Sequence, residues 1–243
     1  AGKHIIGEGE QGWENFREAV LAARESGTWL MVHIGESPMT IPEMLEHLEP
    51  GDCITHCFKG GSTRILDDDD SVFSAVRDAS EAGVIFDVGH GYGSFNWETC
   101  QASLDGGLEP TTISTDLHLA NIHGHVNSMM DVMSKCLAMG MPLQEVVYRS
   151  TLTPAQALHR PELGTLSVGA EADIAVLELR PGNFSFRDCG WARIDADQRL
   201  ECLLTLRRGE VVWDRHALTC PHWEEAAESY WKPDAPQRLW RPH

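Results

Sequence analysis

The chain is 243 residues long, carries a formal net charge of -18 and is 42% hydrophobic. This length suits one large domain or two modest ones. No apolar run approaches the roughly 18 residues that span a bilayer, and the acidic balance argues against nucleic-acid binding because it repels phosphate backbones.

Short β-type runs alternate with helix-type segments over the first half of the chain. Predicted strands fall at 29–34, 52–58, 84–89 and 111–116, and predicted helices at 13–27, 41–48, 71–83 and 97–107. Strands that are apolar on both faces and recur about every 25 to 30 residues, each followed by a helix, imply a parallel sheet covered by helices. A closed (β/α)8 barrel and an open doubly wound sheet both fit. The absence of a G-x-G-x-x-G motif after a strand argues against a doubly wound sheet that binds a dinucleotide.

The pattern changes after Asp116. Helices are predicted at 128–140, 142–150 and 153–160, and β-rich sequence with turn signals follows from Gly164. The predicted division is therefore an α/β domain at 1–163, a small β unit at 164–214 and a Trp- and Pro-rich tail at 215–243, with a helix around Pro221 to Tyr230. The seven cysteines include no C-x-x-C pair, so a disulfide framework or zinc ribbon is not expected and a reducing cytoplasm is the expected location.

Polar side chains stand at the ends of the predicted strands. His33 ends the first strand, His56 lies in the second, Asp116 ends the fourth, and the third carries Asp87 with His90 just beyond. The carboxyl ends of parallel strands share one face, which holds the chemistry in such folds. Each residue taken singly has a structural explanation, a core histidine or a capping aspartate. Together, imidazole and carboxylate groups favour a zinc-like site formed by His33, His56 and Asp116.

Several motifs make the sequence resemble a known superfamily. MVHIGE, THCFKG, FDVGHGYGSF, STDLH, MSKCLAMGMP and LGTLSVGAEADIAVLE together resemble the amidohydrolase superfamily. Within it, they are most similar to the amidohydrolase/deacetylase metallohydrolases found near dihydroorotases and adenine deaminases. The resemblance runs from about Ile5 to Trp213. It implies a TIM-type (β/α)8 barrel followed by strands of a small β-sandwich, with one or two divalent metals, usually zinc, at the barrel mouth.

The resemblance also implies roles for particular residues. His33 and His56 match the histidine ligands that end strands five and six, and Asp116 matches the aspartate that ends strand eight. Asp116 would then be both a ligand and the general base and acid of hydrolysis. His90 resembles a strand-seven substrate contact, and His118 is a further candidate for a substrate-binding or supporting role.

The sequence departs from the family pattern at its start. The family has an H-x-H pair after strand one, and binuclear members add a bridging lysine on strand four. Neither is identified here, and Lys3 is not assigned as that lysine. His123-Gly124-His125 is an H-x-H, but its polar, Gly-containing surroundings predict a loop. Since the first residue is Ala1 rather than Met, we expect a C-terminal portion that lacks barrel strands one to four, associates with itself or with the missing portion, and supplies ligands for about one metal ion.

Three functions remain open from the sequence. The first is a metal-dependent amidohydrolase that cleaves an N-acyl or cyclic amide bond of a small-molecule substrate. The second is a truncated or degenerate, non-catalytic metal-binding member of the same family. The third is a metal-free barrel enzyme such as an isomerase, with Asp116 or His90 as its base.

Overall fold

A computed structural model describes the backbone of residues 2–4 and all of residues 9–226. Its elements, in chain order, are β1 (Gly2–His4), α1 (Gly9–Ser26), β2 (Met31–His33), α2 (Ile41–Leu45), β3 (Cys53–Thr55), α3 (Ser74–Ala82), β4 (Ile85–Asp87), α4 (Trp97–Asp105), α5 (Met129–Ala138), α6 (Leu143–Ala157), β5 (Ile174–Arg187), β6 (Arg193–Arg207) and β7 (Glu210–Asp214). None of these helices is long and apolar enough to cross a bilayer.

The four short strands β1 to β4 form one parallel sheet in sequence order. Val32, Ile54 and Phe86 pair in register across β2, β3 and β4, and all three side chains are fully buried. Strands buried in this way need cover on both faces, which explains their continuous apolar sequence. The α/β class is confirmed, and the strands among the described residues form an open sheet rather than a complete barrel.

Two strands differ from the sequence prediction. β1, which pairs in parallel with β2, was not predicted, because its sequence Gly-Lys-His lacks the apolar residues that mark the other strands. The predicted strand at 111–116 is reduced to a single parallel bridge between Asp87 and Thr112. Its residues still follow β4: the Val88 N–H donates to the Thr112 carbonyl at 3.0 Å. Its polar side chains bond to Asp87 instead of lining an apolar core.

The structure explains the beginning of one predicted helix and joins two other predicted helices into one. α2 begins at a capping box, in which Thr40 and Glu43 satisfy each other's backbone N–H groups. The predicted helices at 142–150 and 153–160 are instead one helix, α6, which passes through Pro154. Proline removes one hydrogen bond from a helix, and here Thr153 ties that turn to the sheet by donating to the Thr111 carbonyl at 2.7 Å.

The chain divides into two compact units. The first contains residues 1–165 and 180–200, and the second contains Leu166–Leu179 and the described residues from Glu201 onward. β5, β6 and β7 form a three-stranded sheet, in which β6 and β7 are antiparallel. The β-rich sequence predicted after Gly164 therefore forms a small sheet. Residues 223–226 form a turn and a bend rather than the predicted helix, and the rest of the predicted tail helix lies outside the described residues.

Candidate active site

A cavity of about 690 Å³ lies at the carboxyl ends of β2, β3 and β4. Three of its side chains stand at one level of the sheet, because His33 pairs in register with Thr55 and Thr55 with Asp87. The cavity is lined by Met31, His33, Thr55, His56, Asp87, Gly89, Tyr92, Gly93, Ser94, Ser114, Asp116 and His118. Four of the five residues predicted for the site, His33, His56, Asp116 and His118, are therefore brought to one cavity.

His33 and His56 lie next to each other in the lining of this cavity. Their ring centroids are 4.5 Å apart and their planes are inclined by 76°. The Nδ1 atom of His56 lies within hydrogen-bond distance of the Gly89 carbonyl. A carbonyl only accepts, so Nδ1 carries a proton, and in the neutral ring Nε2 then carries the lone pair with which an imidazole binds a metal ion. His56 also has a φ of 76°, a left-handed backbone conformation that is uncommon for residues other than glycine.

Asp116 and His118 reach the cavity from an exposed loop. The backbone at Asp116 has a φ of 45°. Asn121, whose side chain is fully buried, fixes this loop from both sides: its Nδ2 donates to the Asp116 carbonyl at 2.8 Å, and its Oδ1 accepts from the His118 N–H at 2.8 Å. Sequence reasoning missed Asn121, since a single asparagine in a polar loop carries no distinguishing signal.

Asp87 is a nearly buried carboxylate in the lining of the cavity. Its oxygens accept hydrogen bonds from the hydroxyls of Thr55 at 2.7 Å, Thr112 at 2.6 Å and Ser114 at 2.8 Å. An ionised carboxylate is an acceptor only, and three donors satisfy most of its need for partners. Asp87 therefore joins β3, β4 and the segment after Thr111 at the level of the sheet that carries His33. The sequence signal for this role of Asp87 was the presence of an aspartate within the otherwise apolar run VIFDVG.

Two glycines let the backbone approach these side chains closely. A Cβ at Gly89, which has a φ of +45°, would lie 2.2 Å from Thr55 Oγ1 and 2.8 Å from His56 Nδ1. A Cβ at Gly91, with a φ of +58°, would lie 2.7 Å from Asp116 Oδ2. All three distances are shorter than a van der Waals contact, so any other residue at these positions would displace the side chains it meets.

His90 is not brought to the cavity. Its side chain is fully buried and stacks on Phe95 with ring centroids 4.7 Å apart. Burial, reinforced by the nearby Lys135 ammonium, lowers the pKa of His90 to about 3. The substrate contact expected at His90 therefore does not match its position, because neither ring nitrogen faces the cavity: Nδ1 is bonded to Gly91 and Nε2 to Lys135.

The donor types at the cavity suit a borderline cation, but their spacing does not close a metal site. Two imidazoles and a carboxylate are zinc ligands by chemistry. Within residues 9–226, however, no group of three His, Cys, Asp or Glu side chains is close enough to hold an ion. The H-x-H pair forms a turn, as predicted, and neither histidine lines the cavity. Lys3 is described by its backbone only, which pairs with Val32.

The carboxyl ends of parallel, helix-covered strands, where this cavity lies, are where TIM-barrel enzymes carry their active sites. Residues 9–212 match the model of the Amidohydrolase family. The chain belongs to this family, which confirms the resemblance seen in its sequence motifs.

Several relatives and solved structures are similar to the chain. A deacetylase of Brucella anthropi is 38% identical over 62% of this chain and 37% of its own length. A deacetylase of Enterococcus faecalis is 32% identical over 75% of this chain and 50% of its own length. The crystal structure of an adenine deaminase matches with a TM-score of 0.82 and 30% identity, over 88% of this chain and 58% of that one. The crystal structure of a dihydroorotase matches with a TM-score of 0.75 and 32% identity, over 81% of this chain and 54% of that one. The chain thus spans half or less of the two curated relatives.

Proposed function

We propose that the chain carries part of the active site of a metal-dependent amidohydrolase, which cleaves an N-acyl or cyclic amide bond of a small molecule. The observation that carries this proposal is the pair His33 and His56, 4.5 Å apart between ring centroids, in a cavity that Asp116 also lines. The cavity volume of about 690 Å³ lies within the range of small-molecule sites. The names of the similar proteins, a deacetylase, a deaminase and a dihydroorotase, agree with hydrolysis of C–N bonds.

His33, His56 and Asp116 would each contribute a ligand to a zinc-like divalent ion, although in this structure the three do not stand close enough together to close the site by themselves. When bound, such an ion acidifies a water molecule and polarises the scissile carbonyl. The Nδ1–H of His56 is directed to the Gly89 carbonyl, so the ring is already held in the tautomer that presents Nε2 as a ligand. The glycine at position 91 leaves space for the Asp116 carboxylate, which a Cβ there would approach to 2.7 Å.

Asp116 is the group that we propose to move protons. It is exposed at the cavity, where its carboxylate would accept a proton from the attacking water and return it to the leaving nitrogen. His118, also exposed and two residues further along the same loop, would contact the substrate. Asn121 holds both residues by its two hydrogen bonds to their backbone.

A complete site would need further ligands, because no three-ligand group exists among the side chains of residues 9–226. We therefore propose that this chain alone binds about one ion, and that a second copy or the complementary portion of the family fold completes the site. The same observation favours a second candidate function, a metal-binding but non-catalytic member of the family.

Hydrolysis assays separate the two candidates. The purified chain, alone and mixed with the complementary barrel portion of a relative, would be given zinc and a panel of N-acetyl amino acids and six-membered cyclic amides, and the release of acetate or of the ring-opened acid would be measured. We expect hydrolysis that stops on addition of a chelator and in Asp116→Ala and His33→Ala. His123→Ala, an exposed histidine of the H-x-H turn, is the matched control and should retain it. Zinc binding without any hydrolysis would favour the non-catalytic candidate, and chelator-resistant hydrolysis would contradict the metal proposal.

A further inference from the structure

Lys135, on α5, lies buried behind the wall of the cavity. Only 1% of its side chain is exposed. Its ammonium group lies 2.9 Å from His90 Nε2 and 3.1 Å from Asp131 Oδ2, and it donates a hydrogen bond to the His125 carbonyl. Lys135 therefore links three parts of the chain: the loop after β4, the turn before α5, and α5 itself.

Burying the ammonium group of Lys135 costs free energy, and the charged groups around it offset that cost only in part. Burial lowers the pKa of Lys135, against the attraction of the Asp131 carboxylate. Burial likewise raises the pKa of Asp131, against the attraction of Lys135. Arg187 and Cys189 also face the group. A well-packed apolar residue usually stabilises such a position as well or better, so packing alone does not explain the presence of an ion here.

The lysine fixes the orientation of His90. An ammonium group only donates hydrogen bonds, so the Nε2 atom of His90 must accept. The proton of the neutral ring then lies on Nδ1, which donates to the Gly91 carbonyl at 3.0 Å. Stacking on Phe95, with an interplanar angle of 5°, holds the ring plane. The two ring nitrogens and one face of the His90 ring are therefore held in place.

The loop that His90 anchors builds one side of the cavity. Its residues Gly89, Tyr92, Gly93 and Ser94 all line the cavity. The Gly89 carbonyl accepts from His56 Nδ1, and the Gly91 backbone passes close to the Asp116 carboxylate. A displacement of this loop by a few tenths of an ångström would therefore move the partner of His56 and change the space around Asp116.

We propose that Lys135 is a positioning residue for the cavity: by holding His90, it fixes the loop from Gly89 to Ser94 and, through the Gly89 carbonyl, the ring of His56. Lys135 itself does not line the cavity, so this role is indirect. The importance of the cavity rests on the proposed function, but the geometry of the loop does not. The primary test therefore measures the loop in metal-free protein.

Hydrogen exchange of the loop amides tests the proposal. The N–H groups of His90 and Gly91 donate to the carbonyls of Ser114 at 3.2 Å and Thr115 at 3.1 Å, so they report whether the loop is held. In Lys135→Met, which keeps the length of the side chain but removes its donors, we expect these amides to exchange about tenfold faster or more. Lys59→Met is the matched control, since Lys59 is also nearly buried but bonds to Glu36 and Gly60. Its exchange at His90 and Gly91 should match that of the unmodified chain.

Two variants at His90 separate positioning from general destabilisation. His90→Gln keeps an acceptor for Lys135 and a donor for Gly91, whereas His90→Leu keeps only the bulk. We expect loop exchange near the unmodified rate in the first and at least about tenfold faster in the second. Imidazole ¹⁵N spectra should show His56 protonated at Nδ1 in the unmodified chain and in His90→Gln, and a mixture of tautomers in Lys135→Met.

The outcomes are distinct. If Lys135→Met folds, as shown by circular dichroism, and its loop exchange and His56 spectrum match those of the Lys59→Met control, the proposal is overturned. If Lys135→Met does not fold, the His90 pair decides: equal exchange in His90→Gln and His90→Leu overturns the proposal, and faster exchange in His90→Leu alone supports it. A zinc titration of the same variants is read separately. Failure to bind zinc in every variant would count against the proposed function and leave the loop result standing.

Discussion

Replacing Asp87 tests the claim that this carboxylate holds the cavity lining together. Asp87→Ala removes three hydrogen bonds donated by hydroxyl groups on neighbouring segments. A hydrogen bond to a charged group contributes about 1.5–3 kcal/mol, but the variant also removes the cost of burying the charge, which is several kcal/mol. Water in the cavity can satisfy part of the hydroxyls left behind. We therefore expect the free energy of unfolding to fall by about 2–4 kcal/mol.

Urea denaturation followed by tryptophan fluorescence measures this change. Asp87→Asn keeps one acceptor oxygen and should cost less, about 1–2 kcal/mol. Asp68→Ala, an exposed carboxylate in a loop, is the control and should be neutral. If Asp87→Ala lowers the free energy of unfolding by less than about 0.5 kcal/mol, the usual range of surface substitutions, then the hydroxyl bonds do not stabilise the lining and the reasoning is refuted.

Two further predictions concern the glycine loop and acid stability. Gly91→Ala forces a Cβ to 2.7 Å from Asp116 Oδ2 and should weaken zinc binding at least about tenfold in a competition titration. Gly93→Ala is the control, because its Cβ meets nothing within 4 Å, and it should leave zinc binding unchanged. Equal losses of zinc binding in both variants would refute the steric argument. Burial acts to raise the pKa of Asp52, but hydrogen bonds from Arg24 and from backbone N–H groups outweigh it and the pKa is lowered. A lowered pKa contributes stability above the unfolded value of about 3.9 that is lost as pH falls through the folded value. Asp52→Asn should thus be less stable at neutral pH and lose less on acidification, and a parallel pH profile would contradict this.

The sequence predicted the cavity because of one geometric rule. His33 and His56 stand at the ends of neighbouring strands, and parallel strands bring their carboxyl ends to one edge. The rule needs only the element order, so it succeeded although the strands are short and the predicted fourth strand is reduced to a bridge. Asp116 reached the same cavity because its segment follows β4 by backbone hydrogen bonds.

The roles of His90 and Asn121 could not be predicted in this way. His90 lies one residue beyond Gly89, on the same loop, yet its ring is buried against Phe95 and Lys135. Lys135 is 45 residues away in sequence, and no local pattern indicates such a pairing. Asn121 likewise acts through its own side-chain amide on a loop whose path is set by tertiary packing. Residues that act through contacts distant in sequence need the fold before they can be assigned.

The number of metal ions bound per chain tests the central claim most directly. Elemental analysis of the chain after purification in zinc and extensive dialysis should find about one ion per chain, and none in His33→Ala or Asp116→Ala. His123→Ala, the control in the H-x-H turn, should retain the ion. Two tightly bound ions per chain, or an ion retained by both the His33 and the Asp116 variants, would contradict the assignment of these residues as the ligands.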